Sequence, residues 1–303
     1  MFAKLIAFLR LTRPVFLLGG MLMFALGALV ARYEGYQIDG QLYVVGQLFV
    51  TSIQLMAHYL NEYWDVEADR FNTARTFFTG GSGVLPEGGL SRGTSLTAAL
   101  VCVAAAGATA LMLIFQYRVA PGAWVVLLLG FLGAFYYSSP PVALAGSGYG
   151  ELTTSLLVAG LVPALGHWLQ AGRPNFLLVI ATAPLVVLHY AMLLAFEYPD
   201  FLSDEASGKR TMLVRLGRRQ GLSFHNALIG FAFGLVALGP LLSLPVQVAA
   251  SVIFTIPLAV WQVITMRRLQ RGEPMSFNRL TFGAVALFAL TAYFIAFSFW
   301  VIG

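Results

Sequence analysis

Charge is scarce in this 303-residue chain: Asp, Glu, Lys and Arg make up 10% of it, against about 25% in an ordinary soluble domain. With 59% hydrophobic residues and a mean hydropathy of +0.80, that shortage excludes a water-soluble globule. Also missing are the weakly alternating segments of about ten residues that mark an outer-membrane barrel. The apolar runs are long and unbroken instead, so the expected fold is an all-α polytopic membrane bundle. Cysteine is nearly absent. Cys102 is alone within an apolar run, which excludes an internal disulfide and leaves it as a small buried hydrophobe. The opening stretch Met1–Arg10 lacks the charged start, apolar core and small-residue cleavage site of a secretory leader. It is expected to lie at the membrane interface as a short amphipathic lead-in. No aromatic-basic interleaving accompanies the pI of 9.5, so the positive charge is assigned to loops at lipid headgroups, and nucleic acid is excluded as a partner.

What is present is a series of nine apolar runs of membrane-spanning length, at roughly 15–32, 42–64, 94–115, 119–138, 150–170, 175–197, 221–242, 246–266 and 279–301. With the N-terminus inside, the inner segments hold fifteen basic residues and the outer loops only Arg32, Arg118 and Arg173, which together account for all 18 Lys and Arg. Such a bias fixes the orientation by the positive-inside rule. The acids gather on the same side, apart from Glu34 and Asp39. The chain is therefore read as an integral, multi-pass protein with its functional face toward the cytoplasm, in the cytoplasmic membrane if the source is a prokaryote.

Two acidic clusters stand where apolar helices end: Asn61-Glu-Tyr-Trp-Asp65-Val-Glu-Ala-Asp69 and Glu197-Tyr-Pro-Asp200-Phe-Leu-Ser-Asp204. Carboxylates beside hydrocarbon are costly, so a chain that keeps several of them there has cations to hold. Asn61, Asp65 and Asp69 follow at i, i+4, i+8, one stripe with successive members about 40° apart around a helix. Hard oxygen ligands in that pattern suit Mg²⁺, which takes one or two carboxylates plus water and phosphate oxygens. Asp200 and Asp204 repeat the i, i+4 step. Pro199 is expected to break or kink the helix between them and Glu197. His58, one turn before Asn61, is read as a hydrogen-bonding neighbour, because imidazole suits Mg²⁺ poorly. Two cation-loaded clusters on one face are a grip for a diphosphate, with Arg75, Lys209 and Arg210 placed to clamp its oxygens and Mg²⁺ assisting the leaving group.

The glycines of Phe77-Phe-Thr-Gly-Gly-Ser-Gly83 permit close backbone approach to an anion, although the segment lacks the Gly-Lys-Ser/Thr ending of a phosphate-binding Walker loop. Tyr136, Tyr137 and Ser138 close the fourth run on the same face, where their hydroxyls could reach a phosphate or an acceptor. The acid pairs and the basic-Thr steps after them, Arg75-Thr76 and Arg210-Thr211, recur about 135 residues apart. That weak repetition suggests one domain, 1–303, built of two related halves, roughly 1–140 and 141–303, around a shared site.

At these residues the chain resembles the UbiA superfamily of intramembrane prenyltransferases, whose signatures Asn-Asp-x-x-Asp-x-x-x-Asp and Asp-x-x-x-Asp correspond to Asn61-Glu62-x-x-Asp65-x-x-x-Asp69 and Asp200-x-x-x-Asp204. The resemblance covers nearly the whole chain. It implies a helical bundle around a central cavity open sideways to lipid, and two Mg²⁺ ions between the motifs. Those ions would bind an isoprenoid diphosphate whose ionisation gives an allylic cation for an aromatic ring to attack. Segments Thr79–Ser91, Tyr137–Ala145, Gly148–Glu151 and Gly208–Gly217 are similar to enzymes that prenylate 1,4-dihydroxy-2-naphthoate for menaquinone. The Arg-Pro step of the 4-hydroxybenzoate and haem O branches does not follow the first motif. Glu62 stands where the family usually has Asp, and Gly146-Ser-Gly148 where naphthoate enzymes often have Tyr-Arg-Gly. A related quinone precursor, a terpene cyclase or a carotenoid elongase on the same scaffold are the alternatives, with a secondary transporter from another class. Transporter sites lie near the midplane on broken helices, whereas these acids stand at helix ends.

Overall fold

The computed structural model describes residues 2–72 and 74–303, and every regular element among them is helical. A short amphipathic helix α1 (Phe2–Thr12) precedes nine long ones: α2 (Val15–Tyr33), α3 (Gly40–Arg70), α4 (Arg92–Gln116), α5 (Pro121–Ser138), α6 (Gly150–Ala171), α7 (Phe176–Ala206), α8 (Met212–Leu242), α9 (Val246–Gln270) and α10 (Phe277–Ile302). Eight of these are long and apolar enough to cross a membrane. The expected count of nine is not reached on that measure. The remaining run, the second, is the 31-residue α3, whose Gln41, Gln47, Gln54 and His58 lower its hydropathy.

Local sequence sets where helices begin. Asp39, Ser91, Asn175 and Thr211 each accept a hydrogen bond from a backbone N–H in the first turn of α3, α4, α7 and α8, satisfying donors that a helix start leaves open. Three helices run well beyond the apolar pattern, α8 at its start, from Met212, and two at their ends. α3 continues to Arg70 and α7 to Ala206, so both acidic motifs are helical. Pro199 lies inside α7 without ending it. The ring costs one ladder bond there, which packing on both sides tolerates. α8 is instead interrupted at Gly217, whose φ of 71° leaves the helical region.

Helix α2 packs on α3, α6 and α10, α3 on α4 and α5, and α7 on α8 and α10. In a lipid setting helices gain little from hydrophobicity alone and associate through small residues that let backbones approach. Gly27 and Gly166 do this between α2 and α6: a Cβ at Gly27 would collide with the Pro163 carbonyl, and one at Gly166 with that of Phe24. A π turn, Leu157–Leu161, interrupts α6 where it passes the cavity. Such turns mark places where a helix is re-aimed, often at functional sites.

Candidate active site

A cavity of about 530 Å³ lies between α2, α3, α5, α6, α7 and α10, within the range of small-molecule sites. On α3 its wall is the recurring series Val50, Gln54, His58, Asn61, Asp65 and Asp69; on α7 it is His189, Leu193, Phe196, Asp200 and Asp204. Steps of three and four residues are one face of a helix. The α3 stripe starts at Val50 and the α7 stripe at His189, and both end acidic at the same mouth. From Phe49 to Asp65 on α3 the apolar wall extends about 24 Å at 1.5 Å per residue.

The two acidic motifs meet at that mouth. The Nζ of Lys209 lies 3.0 Å from Asp65 Oδ2 and 4.0 Å from Asp204 Oδ1, so one ammonium bridges both helices. Burial works against the charge on Lys209, but Asp65 and Asp204 outweigh it and hold the ammonium above the usual lysine pKa. Asn61 Nδ2 donates to Asp65 Oδ2 at 2.7 Å and to Ser138 Oγ at 3.2 Å. Asp200 accepts from Asn72 Nδ2 at 2.7 Å and from the Gly80 N–H at 3.1 Å. Asp69 takes no hydrogen bond on its carboxylate from any described residue. Gly81, at φ +69°, presses its backbone so near that carboxylate that a Cβ would collide with it.

Of the residues singled out in sequence, Asn61, Asp65, Asp69, Asp200, Asp204, Lys209, His58, Glu197 and Tyr137 line the cavity. Ser138 is buried behind Asn61. His58 Nδ1 pairs with the Thr12 carbonyl at 3.2 Å, and its ring meets the edge of Phe16. Tyr136, Arg75 and Arg210 are not on the cavity wall. Arg75 is spent on the glycine loop, donating to the Gly80 carbonyl at 2.7 Å, to Glu87 at 3.1 Å and to the Asp69 carbonyl at 3.3 Å. Arg210 is exposed, and its backbone N–H donates to Gly146.

Four contributors were missed in sequence. Glu62, 1% exposed, accepts from the Ser82 N–H at 2.6 Å and the Ser82 hydroxyl at 2.7 Å. It tethers the loop and leaves the cavity to its neighbours. Asn72 reaches across to Asp200. Glu151 lines the cavity from the start of α6. Arg13 was counted only as a topology residue, yet it lines the cavity and donates to the Phe78 carbonyl at 2.5 Å. A signal for Glu62 existed: Glu62, Asp65 and Asp69 repeat as Glu197, Asp200 and Asp204, each 135 positions on.

The model of the UbiA prenyltransferase family matches residues 21–288. The chain belongs to the UbiA prenyltransferase family. As a member it is a prenyltransferase. It is 24% identical over 237 residues to the 1,4-dihydroxy-2-naphthoate octaprenyltransferase of Bacillus subtilis (strain 168), covering 76% of this chain and 73% of that one. To the protein of the same name from Escherichia coli (strain K12) it is 24% identical over 246 residues, 78% and 77% of the two chains. The fold is shared with a UbiA homolog from Archaeoglobus fulgidus bound to GPP and Mg²⁺, at a TM-score of 0.71 and 20% identity over 98% of this prenyltransferase and 99% of that chain. It is also shared with a digeranylgeranylglyceryl phosphate synthase, at 0.66 and 14% over 98% of each.

Proposed function

We propose that this UbiA prenyltransferase moves a prenyl group from an isoprenoid diphosphate to an aromatic ring, with 1,4-dihydroxy-2-naphthoate as the acceptor, in the presence of Mg²⁺. The observation that carries the reading is the junction of Asp65, Lys209 and Asp204 over an apolar cavity. A cation already bridges the two motifs, charged head outward and hydrocarbon wall behind, which is the shape of a prenyl diphosphate.

Asn61, Asp65, Asp69, Asp200 and Asp204 would hold the metal, taken here as two ions. Among the described residues no three acidic, His or Cys side chains gather tightly enough to hold an ion alone. That suits Mg²⁺, which takes few carboxylates and completes its shell with water and phosphate oxygens. The Asp69 carboxylate, without a donor among the described residues, suits it as well. Bound Mg²⁺ supplies charge neutralisation and polarisation of the leaving diphosphate.

Lys209 reaches the mouth between the two motifs, and it binds diphosphate oxygens. Arg75 acts through the glycine loop that it holds against Asp69. The stripe from Phe196 and Phe16 inward receives the isoprenoid tail, excluding water from the allylic carbon. The naphthoate assignment rests on the two relatives so named and on the motif segments around Tyr137 and Glu151. The Lys and Arg bias sets the mouth at the cytoplasmic face, and residues 1–303 are one domain of two related halves.

Purified protein given Mg²⁺, geranyl diphosphate and 1,4-dihydroxy-2-naphthoate is expected to release diphosphate and yield the prenylated ring, and to stop on chelation of the metal. No release with any of several aromatic acceptors, together with ion flux in reconstituted vesicles, would replace the reading with transport.

A further inference from the structure

Several basic side chains on the mouth side of the bundle have partners within it. Arg10 and Arg75 pair with Glu87, Arg70 pairs with Glu67, and Arg92 and Arg218 lie over the rings of Tyr63 and Phe201. A different arrangement stands where α8 begins and α9 ends. Arg219, Arg267, Gln270 and Arg271 line an open pocket of about 440 Å³. Gln270 Nε2 donates to the Arg219 carbonyl at 3.4 Å, which ties the two helices together. None of the three guanidinium groups pairs with an acid among the described residues. The acid nearest in sequence, Glu273, faces Arg268 at 3.7 Å instead.

Topology and helix ends do not account for this gathering. The positive-inside bias asks only that Lys and Arg stay on one side of the membrane. It does not bring three of them to one pocket, where like charges repel. The dipole of α9 favours Arg267 and Arg271 at its C-terminal end. The dipole of α8 disfavours Arg219, which stands in the first turn of the stretch that resumes after the break at Gly217. An anion between the three removes the repulsion, and guanidinium groups suit phosphate oxygens, which they grip two at a time.

The surface beside the pocket says which phosphate. Ile256, Val260 and Ile264 are exposed. They precede Arg267 and Arg271 in steps of three and four, so one face of α9 is a hydrocarbon stripe that ends in two arginines. Free phosphate would use only the charged end of that face. A phospholipid uses all of it, and basic pockets between membrane helices suit acidic headgroups.

We infer that Arg219, Arg267 and Arg271 bind the phosphate headgroup of an anionic phospholipid whose acyl chains lie along Ile264, Val260 and Ile256. The headgroup holds the start of α8 against the end of α9. The site is separate from the acidic mouth and independent of the prenyl-transfer reading.

The test is a titration of the full-length protein, in non-ionic detergent, with dioleoyl phosphatidylglycerol and with dioleoyl phosphatidylcholine. One phosphatidylglycerol is expected to bind at concentrations where phosphatidylcholine does not. Arg219→Gln or Arg267→Gln should each weaken it about five-fold, and the triple variant with Arg271→Gln about 100-fold. The single variants carry the comparison if size-exclusion profiles show the triple variant misfolded. Lys4→Gln with Arg279→Gln, on the same side but outside the pocket, should leave the affinity unchanged. Wild-type affinity in the pocket variants overturns the site. An equal loss in the outside variant reduces the binding to general surface charge and overturns it too. Inorganic phosphate should displace the lipid no better than chloride at equal ionic strength. Stronger displacement by phosphate would make the pocket a site for the free ion and overturn the lipid assignment.

Discussion

The acidic ends of α3 and α7 carry the same pattern, Glu-x-x-Asp-x-x-x-Asp at an offset of 135 residues, yet the structure satisfies them differently. On α3, Asp65 is paired with an ammonium and Asp69 has no side-chain donor among the described residues. On α7, Asp200 has both oxygens occupied while Asp204 faces Lys209 at 4.0 Å. The donors come crosswise: Asn72 and Gly80, just after the first motif, hold Asp200 of the second, and Lys209, just after the second, holds Asp65 of the first. Each loop is thereby fastened to the opposite helix. The preceding glutamates also diverge, since Glu62 tethers the glycine loop and Glu197 meets the first turn of α8. Repeated sequence sets the carboxylates out in pairs, and the exchange of loops makes the pairs unequal.

The largest expected effect comes from breaking the less occupied end. Asp65→Ala should lower kcat for diphosphate release by about 1000-fold or more, because charge stabilisation of a leaving group dominates such steps. Circular dichroism and size-exclusion profiles should stay those of the wild type, and a turnover within ten-fold, at about that margin, would remove Asp65 from the site. Lys209→Met should weaken donor binding by about 10- to 100-fold, the worth of a charge-assisted contact, as followed by titration with geranyl diphosphate. An unchanged affinity would mean that the bridge serves only to hold the helices.

Gly81→Ala tests the close approach. A Cβ there meets the Asp69 carboxylate and must also adopt φ +69°, at a cost of about 1–2 kcal/mol for the left-handed region alone. Activity should fall about ten-fold, and normal kcat would show that Asp69 has room to move. Asn72→Ala frees one oxygen of Asp200 and should reduce kcat several-fold, making α7 resemble α3. Smallest is Ser82→Ala, which takes one of the two bonds from Glu62, about 1 kcal/mol. Faster hydrogen exchange around residues 80–84 is expected with little change in rate, and equal protection in mutant and wild type would argue against the tether.

Much of the membrane architecture was legible in composition and run length. The segments expected at 94–115, 150–170 and 279–301 correspond to α4, α6 and α10 within two residues at each end. α3 and α7 overran their apolar patterns because their last two turns are held by Lys209, Asn72 and Gly80, contacts from outside those helices. Asn61, Asp65 and Asp69 were found together because helical spacing is local. Arg75 and Arg210 looked equivalent to Lys209, since charge and proximity in sequence say nothing of which way a loop folds. Arg75 turned to the Gly80 carbonyl of the loop. Glu62 was visible only through its counterpart Glu197 at the same offset, a comparison that the acid pairs alone did not prompt.

The sequence by itself determined the helical membrane class, the gathering of carboxylates beside apolar runs, and the stripe that joins Asn61 to Asp69. Hydrophobic length and the period of a helix require no knowledge of distant residues. The tertiary structure alone decided which carboxylates are spoken for: Asp65 by Lys209, Asp200 by Asn72, Glu62 by Ser82, and Glu151 by the Met212 N–H. A buried charge takes its state from the donors around it, and those named here come from segments 20 to 144 positions away.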